Sequence, residues 1–184
     1  MGKLQFNPYQ VFHRKQYYRL FTHAFVHADW IHLLINMYVL HSFGMAVESI
    51  FSQLEAVDVL KSASLYYFLL YVGGLLFSPL VTLFKHRDNF HYNSVGASGA
   101  VSAVVFCAIF FMPMGKIQLY FLFPMPAILF AVLYLIYSSI MSKRGKDHIN
   151  HDAHLIGALF GLLFPLIIDP KLIHHFFSEI FSVF

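Results

Sequence analysis

Val95 to Met112 reads VGASGAVSAVVFCAIFFM: small residues gathered around Ser98, then an unbroken apolar run. These 18 residues carry no charge. At about 1.5 Å per residue they are long enough, as a helix, to cross most of a bilayer core. The polar run Arg87-Asp88-Asn89 precedes them. Gly96, Ala97, Gly99 and Ala100 leave Ser98 open to close approach by another helix or by a substrate backbone. Plain packing accounts for the same residues: Gly96 with Ala100, and Gly99 with Ala103, are small-xxx-small pairs, and Ser98 can hydrogen-bond within its own helix. Where the other polar groups fall decides between these roles.

The composition sets the class around that stretch. The chain has 184 residues, 59% hydrophobic and only 11% charged, with 22 Phe and a mean hydropathy of +0.65. So few charges at this length indicate one polytopic membrane domain, an all-α helical bundle. The formal charge of +3 leaves no footprint of a nucleic-acid binder, and no nucleic-acid partner is expected. Cys107 is the sole cysteine, so no internal disulfide can form. Met1 to Gln16 lacks a continuous apolar core and a small-residue cleavage site, and does not read as a signal peptide. The chain has 12 histidines, and several lie in apolar stretches, where an ionisable group is a functional candidate.

Residues 1–29 predict an interfacial, partly helical segment in which tyrosines alternate with Lys3, Arg14, Lys15 and Arg19. The membrane domain then runs over residues 30–168, with five spans expected at about 30–50, 63–84, 95–112, 125–141 and 149–168. Gln53 to Lys61 predicts a short polar connection. Gly73-Gly74 and Ser78-Pro79 predict close packing or a kink in the second span. Pro113 ends the third span, and Pro124 and Pro126 break the next apolar run, so Ile117 to Phe123 is expected at the interface. Ser142 to His148 is a basic loop, and 169–184 a short amphipathic tail.

Alternate spans run in the same direction. His32 and Asn36 near the start of the first, Ser98 near the start of the third and His154 near the start of the fifth therefore share one side of the membrane, roughly 5 to 10 Å into their helices. His32 and Asn36, at i and i+4, share a helix face. Ala153, Gly157 and Gly161 form a small stripe beside His154 that can bring this helix against Gly96, Gly99 and their neighbours. Convergent polar groups in an apolar domain point to a reaction centre. His154 can remove the hydroxyl proton as Ser98 attacks a carbonyl, then return a proton to the leaving amine. Backbone N–H groups at the helix start, including that of Ser98, together with His32 and Asn36, can receive the oxyanion.

These residues resemble the rhomboid intramembrane serine proteases. Gly96-Ala97-Ser98-Gly99 is similar to the GxSG nucleophile motif, Ala153-His154 with Gly157 and Gly161 to AHxxGxxxG, and His32 to Asn36 to HxxxN. Tyr18-Arg19 resembles the aromatic-Arg pair of the first loop, and Gly44 with Glu48 the GxxxE motif; the likeness covers roughly residues 16–168. It implies that Ser98 is the nucleophile and His154 the general base of a dyad without a third carboxylate. His32 and Asn36 would bind the oxyanion, and Arg19, Glu48, Gly96, Gly99, Gly157 and Gly161 would support the site. The implied substrate is a transmembrane helix that unwinds locally, in contact with membrane lipid, and no cofactor or metal is expected.

Some positions depart from that pattern. Many relatives place a tyrosine one turn after the nucleophile, stacked on the catalytic imidazole; here Ser102 stands there, so the orientation of His154 must come from elsewhere or be looser. Ser52 replaces the last glycine of GxxxExxxG. No apolar helix precedes Tyr18-Arg19, whereas the family core has six spans, so a truncated or five-span form is expected. The resemblance puts the active-site ends outside the cytoplasm, in a plasma (inner) membrane. Of the 12 Lys and Arg residues, Lys61, Lys116 and Lys171 alone lie on the far side, and positive-inside reasoning points the other way; the family topology is the one adopted here.

The remaining histidines are expected in ordinary roles. His23, His27, His148 and His151 would meet water or headgroups, and His41 would line a helix contact. Asp152 would cap its helix or face the loop, because i+2 neighbours point apart. Two other functions compete. In a haem or zinc membrane protein, paired histidines, or His148, His151, Asp152 and His154, would be ligands, with no role for Gly96 to Gly99 or Asn36. An inactive rhomboid-like client-binding protein would be expected to have lost Ser98 or His154, and both are present.

Overall fold

Gly96 has φ +105°, a conformation from which a right-handed helix cannot propagate and which glycine adopts without steric cost. The helix expected from Val95 therefore begins only at Ser98. A computed structural model of the chain describes residues 2–119, 123–144 and 149–182. Elements α1 (Pro8–Arg14) and α2 (Arg19–Thr22), with a 3-10 turn at His23–Phe25, lead into α3 (Trp30–Ala56), α4 (Ala63–Phe77), α5 (Leu80–Lys85) and α6 (Ser98–Phe111). A hairpin of β1 (Lys116–Leu119) and β2 (Phe123–Pro126) is followed by α7 (Ala127–Arg144), α8 (His151–Ile168) and α9 (Leu172–Phe181).

Among the described residues, four helices are long and apolar enough to cross a membrane: α3, α4 with α5, α7 and α8. The 14-residue α6 is only about 21 Å long, and every residue from Gly99 to Phe111 is buried. It is the axis of the bundle, and the other helices surround it. Their outer faces are apolar and exposed, as at Ile31, Leu34 and Ile35 on α3 and Leu129, Leu133 and Ile136 on α7. Large apolar side chains turned outward all along a bundle are matched by lipid, not by water. The chain is an integral, multi-pass membrane protein built as a helical bundle.

The structure differs from expectation at several boundaries. Helix α3 continues to Ala56, past the connection expected from Gln53. Ser52 Oγ and Gln53 Nε2 bond back to the carbonyl of Glu48 and to Ser49 Oγ, and the chain leaves helical geometry only near Asp58, at φ 57°. Of residues 117–123, expected at the interface, 117–119 and 123 pair in an antiparallel ladder whose register runs from Lys116 with Pro126 to Leu119 with Phe123; residues 120–122 lie outside the described ones. Pro124 and Pro126 place their missing N–H groups on one edge of β2 and leave the other edge free to pair. His41, expected in a helix contact, is exposed.

Local signals set the other element starts. Asn7 caps α1 by accepting from Gln10 N–H at 2.8 Å, with Pro8 at the first turn. Asp29 caps α3 through His32 N–H at 2.7 Å. Helix α4 ends at Phe77 and resumes as α5 at Leu80, across Ser78-Pro79, where proline interrupts the hydrogen-bond ladder. Phe6 pairs with Ser94 through both backbone bonds, tying the N-terminal segment to the loop just before Ser98.

The closest packing is between α6 and α8. A methyl group at Gly157 would overlap the carbonyl of Gly99, and one at Gly161 the carbonyl of Ala103. A Cβ at Gly74 of α4 would stand 2.7 Å from Ala103 Cβ and 3.1 Å from Ala100 Cα. Backbone against backbone leaves no flexible atom to yield. Gly161→Ala is accordingly expected to destabilise the bundle by about 1–3 kcal/mol, read as a lowered unfolding midpoint in detergent. The same substitution at Gly2, which faces open space, leaves the midpoint unchanged.

Candidate active site

Ser98 is the first residue of α6 and His154 lies in the first turn of α8, and the two helices bring them together. His154 Nε2 is 2.7 Å from Ser98 Oγ, hydrogen-bond distance for a hydroxyl and an imidazole. Both are half-buried, so water is largely excluded while the hydroxyl stays reachable. As the first residue of its helix, Ser98 has a backbone N–H without an intrahelical acceptor.

The turn before Ser98 is held on both sides. Gly96 N–H donates to the His23 carbonyl at 2.9 Å, and His23 Nδ1 lies 3.1 Å from the Gly96 carbonyl. A carbonyl only accepts, so His23 carries its proton on Nδ1. This residue is 6% exposed, and the expectation that it meets water or headgroups is corrected: burial and the Gly96 backbone claim it. On the other side lies His32, whose Cε1 and Nε2 would stand 2.7 and 3.0 Å from a Cβ at position 96. Gly96 is needed twice over, for its φ and for the room that His32 fills. Ala28 N–H points to His32 Nδ1 over a long 3.4 Å, which leaves the proton on Nε2, facing Gly96.

The other expected residues fall in different places. Asn36 is 4% exposed and donates one amide N–H to the His32 carbonyl at 2.9 Å. Arg19, 6% exposed, binds Gln16 Oε1 at 2.6 Å and the carbonyls of Gly2 and Gln5 at 3.0 and 2.7 Å. It pins the N-terminal segment rather than touching Ser98. Glu48 is exposed, and its backbone carbonyl accepts from Ser52 Oγ. Gly44 makes room for the Tyr67 hydroxyl, Gly99 for Ser78, and Gly157 and Gly161 for α6.

Asp152 does not cap α8: Lys85 Nζ holds one oxygen at 2.9 Å and Ser142 Oγ donates to the other. Asn150 is the cap, accepting from Ala153 N–H at 3.0 Å and from Thr82 Oγ1 at 2.8 Å while donating to Ser94 Oγ at 3.3 Å. Sequence reasoning missed both Asn150 and His23. An N-cap signal was present at Asn150, but the contact of His23 with Gly96 spans 73 positions and leaves no local trace. His151 is 4% exposed, again not at the interface; its ring is edge-on to Tyr137 and to His154. For the zinc alternative, Asp152 is bound to Lys85 and His148 lies outside the described residues, as does Lys146 of the basic loop. Among those described, no cluster of three or more His, Cys, Asp or Glu could hold a metal ion. An apolar cavity of about 860 Å³ opens beside the site, lined by Trp30, Leu33, Met37, Tyr71, Leu75 and Ala97 among others.

Comparison with known proteins gives one answer. The sequence pattern of the Rhomboid domain matches residues 14–171. RHOMBOID-like protein 12, mitochondrial, of Arabidopsis thaliana is 30% identical over 154 residues, 76% of this chain and 43% of that protein. The Presenilin-associated rhomboid-like protein, mitochondrial, of Homo sapiens is 31% identical over 144 residues, 76% of this chain and 35% of the relative. The chain thus matches less than half the length of these relatives.

The turn at Gly96 makes the fold sensitive to acid. Burial pushes the His23 pKa below 6.5, opposed by the backbone bonds to Gly96 and Leu20. Burial also lowers His27, helped by His32, and His86, helped by Lys85 and opposed by Asp152. A base whose pKa falls on folding contributes stability above its unfolded value and loses it as pH drops toward the folded value. The unfolding midpoint is therefore expected to fall as pH decreases below about 6.5. His23→Asn, which keeps a donor for the Gly96 carbonyl but does not titrate, makes that slope shallower; an unchanged slope rules His23 out as its source.

Proposed function

The chain belongs to the rhomboid family, and from that membership we propose that it is an intramembrane serine endopeptidase with Ser98 as nucleophile and His154 as general base. The observation that carries this reading is the 2.7 Å contact between His154 Nε2 and Ser98 Oγ. His154 takes the hydroxyl proton as Ser98 Oγ bonds to the scissile carbonyl carbon. The C–N bond then breaks and the proton passes to the leaving amine. Water, deprotonated by the same imidazole, hydrolyses the acyl-enzyme and frees Ser98.

The developing oxyanion meets the Ser98 N–H and the Nε2–H of His32, with Asn36 as a further donor. The substrate is a transmembrane helix whose bonds become accessible where it unwinds, since a helical peptide bond in lipid is shielded by its own hydrogen bonds. The apolar cavity ending at Ala97 suits the side chains of such an unwound segment. The relatives' names place those proteins in mitochondria, so the plasma membrane expected from the sequence has no support.

Labelling of the reconstituted protein with a fluorophosphonate tests the dyad. Wild type is expected to label, and Ser98→Ala and His154→Ala to lose labelling while remaining folded. Equal labelling of all three sinks the dyad, and a folded wild type that does not label favours the client-binding alternative. For the oxyanion donors, Asn36→Ala is expected to lower kcat about tenfold or more with KM little changed. An unaltered kcat removes Asn36 from that role.

A further inference from the structure

The hydroxyl of Ser102 is occupied in an unexpected way. Ser102 lies one helical turn after Ser98 on the same face of α6 and is 7% exposed. Its Oγ is 2.7 Å from the phenol oxygen of Tyr134 on α7. The Tyr134 ring lies nearly parallel to the imidazole of His154, with centroids 6.4 Å apart and an interplanar angle of 22°, an offset stack. Phe106 and Phe130 pack on Tyr134 at 5.4 and 5.7 Å. One ring is therefore pinned at its hydroxyl by the helix of the nucleophile, flanked by Phe106 and Phe130, and turned toward the proposed base.

We propose that Tyr134 is a positioning residue for His154, with Ser102 as its anchor. The inference rests on the Ser98–His154 reading above. An imidazole on a helix can rotate about its Cβ–Cγ bond, and Nε2 meets Ser98 Oγ in only part of that range. A flat ring lying nearly parallel beside it restricts that rotation. Asp152, the nearest carboxylate in sequence, is held by Lys85 and Ser142, while the Tyr134 ring of α7 lies along the imidazole. The anchor matters because a buried phenol needs a partner. Ser102, on the same helix as Ser98, sets the height of the ring relative to the nucleophile.

The test is fluorophosphonate inactivation of the full chain in vesicles, with the chemical step, kinact, separated from binding, KI. Tyr134→Leu, which fills space without a flat ring, is expected to lower kinact about tenfold or more while KI stays within about twofold. Tyr134→Phe and Ser102→Ala each remove one end of the same hydrogen bond and are expected to cost about threefold each. The double variant should be no slower than either, the mark of a shared interaction. If the leucine variant fails to show a cooperative unfolding transition, the Phe and Ala pair carries the test. Wild-type kinact in Tyr134→Leu, or losses in the pair that multiply, would overturn the proposal while leaving the dyad intact. Labelling of wild type that survives His154→Ala overturns the dyad and this inference with it.

Discussion

The contact between α6 and α8 is made backbone to backbone, and the site depends on it. Gly157 and Gly161 lie against the carbonyls of Gly99 and Ala103 with no room for a methyl group. At that separation Ser98 and His154 meet at 2.7 Å although each projects from the end of its own helix. Side chains of ordinary size at either glycine would push the helices apart by more than a hydrogen bond tolerates. A Ser–His contact in an apolar bundle is thus first a problem of helix spacing.

The second requirement is that α6 start at Ser98 and not before. Its 14 residues make it shorter than the surrounding spans, and the left-handed φ of Gly96 is what stops it from extending. The turn is kept in place by His23 through two hydrogen bonds and overlaid by His32. One glycine therefore sets where the helix of Ser98 begins, leaves a helix-terminal N–H without an intrahelical acceptor and makes room for the His32 imidazole.

Several polar groups elsewhere are paired in small sets, as an apolar surround favours. Arg19 saturates carbonyls of the N-terminal segment. Asn150 joins α5, α8 and the loop at Ser94, and Lys85, Asp152 and Ser142 join α5, α8 and the end of α7. These links gather around the end of the bundle where Ser98 lies. They hold the helix starts in register where the apolar packing, which has no direction, cannot.

Much of this was legible in the chain itself. Apolar runs of spanning length gave the bundle, because lipid leaves the backbone no alternative to internal hydrogen bonding. The spacing of Gly96, Ser98, His154, Gly157 and Gly161 marked both the residues that meet at the Ser98–His154 contact and the packing around it, since i+4 repeats mark one helix face. Boundaries were less legible: α3 overran its expected end and the proline-broken stretch became a hairpin, outcomes that depend on side-chain bonds and strand pairing. Only the tertiary structure placed His23 on Gly96 and Tyr134 between Ser102 and His154, and only it turned Asp152 away. Local pattern records the face on which a residue lies and the period of its neighbours. It does not record which distant backbone or ring that face will meet, because such contacts arise only when helices far apart in sequence are packed.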